Sequence, residues 1–320
     1  MHPAEPTALP ASAATAATAA AAAHTAALDA TRGMLLGLAG VAIFSLTLPF
    51  TRMAVAGFDP LFLTLGRALG AALLAACWLG IRRAARPGRA ALAPLSIVAL
   101  GCVIGFPLFS SFAMRSLPAA HGAVLCGVLP LATALYAALR GFERPSRGFW
   151  LAALLGAGLV AGFALGQGGG GFQHADFLMF GAVAAGAAGY AEGGRLARTM
   201  GGPQVICWAL VLAAPAAIVL ILLAPSQLAQ LAHPERIGAR AWLGFGYVTV
   251  FSMLVGFFFW YRGLALGGVA RVGQVQLLQP FLSLGGAAVL LGEAPAPADY
   301  GFALAVIATV ALGRRMQVQR

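Results

Sequence analysis

The sequence predicts an all-α integral membrane protein of ten transmembrane helices, arranged as two inverted repeats of five. Three observations carry this. The 320 residues are 61% apolar and 9% charged, with a mean hydropathy of +0.89, where soluble domains run about a quarter charged. The landmarks also recur: Pro130, Glu143 and Pro145 return as Pro280, Glu293 and Pro295 at an offset of 150. Arg52 and Pro60 return as Arg195 and Pro203 at 143, and Arg115 as Arg262 at 147. Such drift is what loop insertions produce in two copies of one unit. Finally, an N-terminus on the inside puts 15 arginines on the cytoplasmic side, four outside and one, Arg67, within the membrane. The positive-inside rule therefore favours cytoplasmic N- and C-termini. An odd number of helices separates the copies, so the second enters the bilayer upside down.

Residues 1–31 form an Ala/Thr-rich tract with neither the basic start nor the bulky apolar stretch of a signal peptide. They read as a disordered cytoplasmic tail, with an alanine-driven helix as the alternative. The first repeat, 32–167, holds apolar runs over 33–53, 60–81, 93–115, 117–139 and 148–166; the second, 172–313, holds 176–197, 203–224, 241–262, 268–291 and 298–313. Each run approaches the roughly 20 apolar residues that a spanning helix needs. Residues 314–320 are a basic cytoplasmic tail.

Polar residues inside these runs are the candidates for function, because a charge at mid-membrane needs a partner or a purpose. Arg67 lies deepest, in the second helix, as a ligand for a substrate carboxylate or as a structural cation held by backbone carbonyls. In the fourth helix His121 precedes Pro130 and reads as a solvated or capping residue. Gly158, Gly162 and Gly166 on the fifth have the spacing of a close helix contact, so the chain is a monomer or a homodimer. Glu192, beside Tyr190 and flanked by glycines on the sixth, is the proton-coupling candidate or an ion-pair partner of Arg195 three residues on. Trp260 and Tyr261 on the eighth are an interfacial anchor or an aromatic gate.

The ninth helix carries Gln274, Gln276 and Gln279 ahead of Pro280. A proline frees a carbonyl one turn earlier, which lipid tolerates only against protein or a wet cavity. The fourth and ninth helices are therefore the expected cavity wall, with Gln276 and Gln279 on one face. Glu143 and Glu293 end their helices and suit capping and gate contacts.

Several classes are excluded. Without lysine there is no Walker A motif, so this chain alone is not an ATP-driven pump. The formal charge of +11 is scattered over loops with no soluble basic domain, so nucleic acid is not a partner. Cys77, Cys102, Cys126 and Cys207 show no CxxC spacing and imply neither metal nor disulfide. Ser45, Ser110, Ser111 and Ser252 have no histidine partner beyond His121, and no cofactor motif or intramembrane carboxylate pair is present, which argues against an enzyme. A passive pore or a scaffold is the alternative to a carrier.

Together these landmarks resemble the EamA family of the drug/metabolite transporter superfamily. The resemblance rests on the doubled five-helix unit, on Pro60-Leu61-Phe62 leading to Arg67, and on Ala113-Met114-Arg115. It rests also on Pro280 to Leu291-Gly292-Glu293, with Gly141-Phe142-Glu143 as the weaker first copy. It covers about residues 33–313. Ile43-Phe44-Ser45-Leu46-Thr47-Leu48-Pro49 replaces the family's Trp-Gly start, and Leu210 stands where Arg67 would recur. The resemblance implies a secondary transporter of a bacterial inner membrane, exporting an amino acid or related metabolite by alternating access. It further implies that Arg67 or Arg195 holds a carboxylate, that Gln276 and Gln279 take hydrogen bonds, that Tyr190 and Trp260 pack on the substrate, and that Glu192 couples a proton.

Overall fold

In lipid every backbone N–H and C=O has to be satisfied within its own segment, which leaves the helix as the natural state of a chain this apolar. The computed structural model describes residues 11–141, 147–167, 172–267 and 272–315, and every regular element among them is helical. The first half contains α1 (Ala11–Ser45), α2 (Thr47–Val55), α3 (Pro60–Ile81), α4 (Arg89–Val98), α5 (Phe106–Ala113), α6 (Ala119–Cys126), α7 (Leu129–Leu139) and α8 (Arg147–Gln167). The second contains α9 (His174–Met200), α10 (Gly202–Leu223), α11 (Ser226–Ala229), α12 (Ala239–Tyr247), α13 (Gly256–Gly267), α14 (Gln279–Leu291) and α15 (Pro297–Arg315). Six described helices are long and apolar enough to cross a membrane: Leu28–Val55, Pro60–Ile81, Arg89–Ala113, Ala119–Leu139, Gly202–Leu223 and Ala239–Gly267. Trp150–Gly166 and Val275–Leu291 are shorter apolar helices, and the 27-residue α9 carries Asp176, Glu192, Arg195 and Arg198 along its length.

Helix α1 starts at Ala11, so residues 11–31 are helical where a disordered tail is the sequence expectation. Alanine is the strongest helix former, and this stretch is mostly alanine.

Prolines set the interruptions. Pro49, near the start of α2, excludes the bond to the Ser45 carbonyl one turn back. That carbonyl instead accepts a hydrogen bond from Ser283 Oγ at 2.7 Å, from the other half of the chain. Likewise α6 and α7 are separated by a turn just before Pro130, and a 3₁₀ stretch, Gly273–Leu278, precedes Pro280. Each half also has a π-helical stretch, Ala99–Gly105 between α4 and α5 and Val248–Val255 between α12 and α13.

The packing pairs elements across the halves. Helix α1 runs along α13, α2 lies on α12, α3 runs along α10, α5 lies on α9, α6 meets α14, and α8 meets α15. Glycines allow the closest of these approaches. A Cβ on Gly263 of α13 would lie 2.8 Å from both the Gly33 carbonyl oxygen and the Gly37 nitrogen of α1. By contrast, Gly158, Gly162 and Gly166 of α8 face open space within this chain.

Candidate functional site

Where the two halves meet, a cavity opens with about 570 Å³ of space among its lining atoms, its mouth included. The first half contributes Phe44, Thr47, Arg67, Cys102, Phe106 and Cys126. The second contributes Gly186, Tyr190, Ser252, Phe257, Gln279 and Ser283. The interrupted helices thus deliver their polar groups here. Cys126 closes α6, Gln279 and Pro280 open α14, and Cys102 and Ser252 sit on the two π-helical stretches.

Arg67 is 2% exposed. Its Nη2 donates to Ser252 Oγ at 3.4 Å, and Ser252 Oγ is 2.9 Å from Thr47 Oγ1. Its Nε and Nη1 meet no acceptor among the described residues. Gln279 Oε1 is likewise buried without a donor. An unanswered cation and an unanswered acceptor therefore line one cavity, and each costs free energy unless a ligand satisfies it.

The apolar wall is aromatic. Phe44 and Phe257 meet edge-on with centroids 4.9 Å apart, and Tyr190 lies 5.9 Å from Phe257. Trp260 backs this wall from outside the cavity, 5.8 Å from Tyr190 and 6.4 Å from Phe44. It is buried at 2% exposure, not set at the lipid interface. Its neighbour Tyr261 donates to the Gly189 carbonyl at 3.2 Å.

Of the residues singled out in the sequence, Arg67, Tyr190 and Gln279 line the cavity together; Trp260, Gln276 and Glu192 do not. Gln276 is buried with its Nε2 unpartnered, and the side chain of Gln274 lies outside the described residues. Glu192 is fully buried and held on both oxygens. Its Oε1 accepts from Arg140 Nε at 3.1 Å and Tyr136 Oη at 3.3 Å, and its Oε2 from Arg195 Nη2 at 3.1 Å. The i,i+3 pair with Arg195 is present, and Arg140 brings α7 onto α9.

At the other end of the bundle Arg52 donates to the carbonyls of Met114 and Leu117 at 2.7 and 2.6 Å and stands 3.7 Å from Glu293. Glu293 accepts from the Ala119 and Ala120 amides at 2.8 and 2.9 Å. A carboxylate on a helix N-terminus satisfies amides that have no partner within the helix and meets the positive end of its dipole. The capping expectation thus holds for Glu293, while Glu143 lies outside the described residues.

Sequence reasoning missed one buried pair. His121 Nε2 lies 2.7 Å from Asp176 Oδ1, with the two residues 6% and 0% exposed, so His121 is neither solvated nor a cap. Asp176 Oδ2 also accepts from the Gln173 amide at 2.9 Å, closing the capping box of α9. A histidine that packs on Phe163 at 5.0 Å could be placed only by tertiary contact. Among the described residues no group of three His, Cys, Asp or Glu side chains is arranged to hold a metal.

A family model described as "EamA-like transporter family" matches residues 31–164 and again residues 173–313. A Bacillus subtilis (strain 168) protein named "Uncharacterized transporter YdeK" is 48% identical over 286 residues, covering 89% of this chain and 98% of that one. A solved structure described only as a crystal structure of a protein superposes with a TM-score of 0.58 at 19% identity. It covers 88% of this chain and 96% of that one, a likeness of fold alone.

Proposed function

The chain belongs to the EamA-like transporter family, and from that premise we propose that it carries a small metabolite, an amino acid or a related compound, through the central cavity by alternating access. The observation that supports this best is the position of the cavity. It lies between the two family-matched segments and takes polar groups from interrupted helices of both. Carriers built from repeats hold substrate at the repeat interface on broken helices, and open it by rocking one repeat against the other.

The pairing of elements supports a duplicated ten-helix plan. Helices α3, α6 and α8 of the first half meet α10, α14 and α15 of the second, which occupy the same places in the order of expected spans. Helix α1 meets α13 while α5 meets α9, a reciprocal exchange of first and third spans that a two-fold relation between the halves would produce. On this reading the protein sits in a bacterial inner membrane with both termini inside, and Arg67, Tyr190 and Gln279 touch the substrate while Trp260 stiffens the aromatic wall.

Counterflow in proteoliposomes tests the reading. Vesicles loaded with unlabelled amino acids and related small acids should draw in the matching labelled compound transiently and saturably. Uptake no greater than in protein-free vesicles across the panel would refute it.

A further inference from the structure

Resting on the transport reading above, we propose that the substrate crosses as an anion, an organic monocarboxylate with an apolar or aromatic remainder, so that its flux follows the membrane potential and not a proton gradient. Arg67 is the ground for this. A guanidinium offers a carboxylate two edges, Nε with Nη2 and Nη1 with Nη2. Nη2 touches Ser252, and each edge keeps one buried nitrogen without an acceptor among the described residues. Arg67 is also the one charged residue among the described residues that line the cavity. An isolated buried cation is costly, and a monoanion neutralises it.

The other cavity groups narrow the class. An ammonium group on the substrate would meet no carboxylate among the described lining residues and would sit in the field of Arg67, so a zwitterion gains less than the matching acid. The orphaned Gln279 Oε1 is neutral and suits a hydroxyl or amide N–H. Phe44, Phe257 and Tyr190 give the remainder an aromatic face to pack on.

Energy coupling follows from the same set. Among the described residues no carboxylate or imidazole lines the cavity to carry a proton with the substrate. Glu192 is pinned by Arg140 and Arg195, and His121 by Asp176, both away from the lining. With the guanidinium charge fixed, the loaded cavity is neutral and the empty one carries a single positive charge. Each cycle then moves one negative charge, and a potential negative inside favours its exit.

The test uses three probes of one skeleton: 3-phenyllactate as the anion, phenylalanine as the zwitterion and phenethylamine as the cation. Proteoliposomes of the full chain are clamped with valinomycin and a tenfold potassium gradient, with or without a pH gradient. Phenyllactate should show saturable counterflow and settle about tenfold in favour of the positive side, as a monovalent anion must, with no response to the pH gradient. Arg67→Gln should lower its counterflow at least about tenfold, and Arg67→Lys, which keeps the charge but loses the fork, should fall between. Counterflow of phenylalanine or phenethylamine equal to that of phenyllactate, or a distribution that tracks pH, would overturn the inference and leave transport standing. Absence of counterflow for all three and for the wider panel would overturn both.

Discussion

Among the described residues, Glu192 and Asp176 are buried charges paired with a basic side chain, whereas buried Arg67 meets only the Ser252 hydroxyl. Each oxygen of Glu192 meets a guanidinium. Replacing it with alanine removes the tie between α7 and α9, at a cost of about 1–3 kcal/mol for the loss of charged hydrogen bonds. We expect Glu192→Ala to unfold at lower temperature in detergent while the pH profile of transport keeps its shape. A flattened profile at unchanged thermal stability would restore the coupling role. The same holds for the other pair: His121→Ala removes the partner of Asp176 Oδ1 and leaves the Gln173 amide on Oδ2, so it too should lower stability, read by the same thermal unfolding. The sequence made Arg67 and Glu192 visible because they interrupt apolar runs. It hid the His121–Asp176 pair because both residues sit near helix starts, where polar side chains are usually solvated, and 55 positions separate them.

Helix contacts rest on backbone approach as much as on side chains. A Cβ on Gly263 would come within 2.8 Å of backbone atoms of both Gly33 and Gly37, and backbone cannot swing aside as a side-chain tip can. Gly263→Val should therefore cost more than the roughly 1–3 kcal/mol of ordinary overpacking and abolish monodisperse protein in size-exclusion chromatography. Gly158→Val, with nothing within 4 Å of the added carbon, should elute as the parent does. The GxxxG pattern of α8 is the more regular in sequence, yet α1 and α13 make the tight contact. Spacing shows that a helix can be approached closely, and only the tertiary partner shows where. Helix interruptions were better legible: Pro130 and Pro280 mark them directly, because a proline's lost bond is a local fact. The Ser283 partner of the Ser45 carbonyl was not, since it lies 238 residues away.

For the whole molecule, the two ends carry ionic clusters that differ in construction. One joins Arg140, Glu192 and Arg195; the other joins Arg52, Glu293, the amides of α6 and the carbonyls before it. In the orientation proposed above, with both termini inside, the second cluster would face outward. A carrier that opens alternately has to break one cluster at a time, so weakening one biases the equilibrium between states by the free energy removed. Glu293→Gln keeps the side-chain size but removes the charge that faces Arg52 and two amide donors, worth about 1.5–3 kcal/mol. That shifts the population outward by about tenfold or more. Cys102 and Cys126 line the cavity and report on it. In a Cys77→Ala, Cys207→Ala background, a membrane-impermeant thiol reagent added outside should label Glu293→Gln about tenfold faster than the parent. An excess of the transported compound should slow both. Equal labelling rates would mean that the Arg52–Glu293 cluster only caps α6, and that the outer gate lies elsewhere in the bundle.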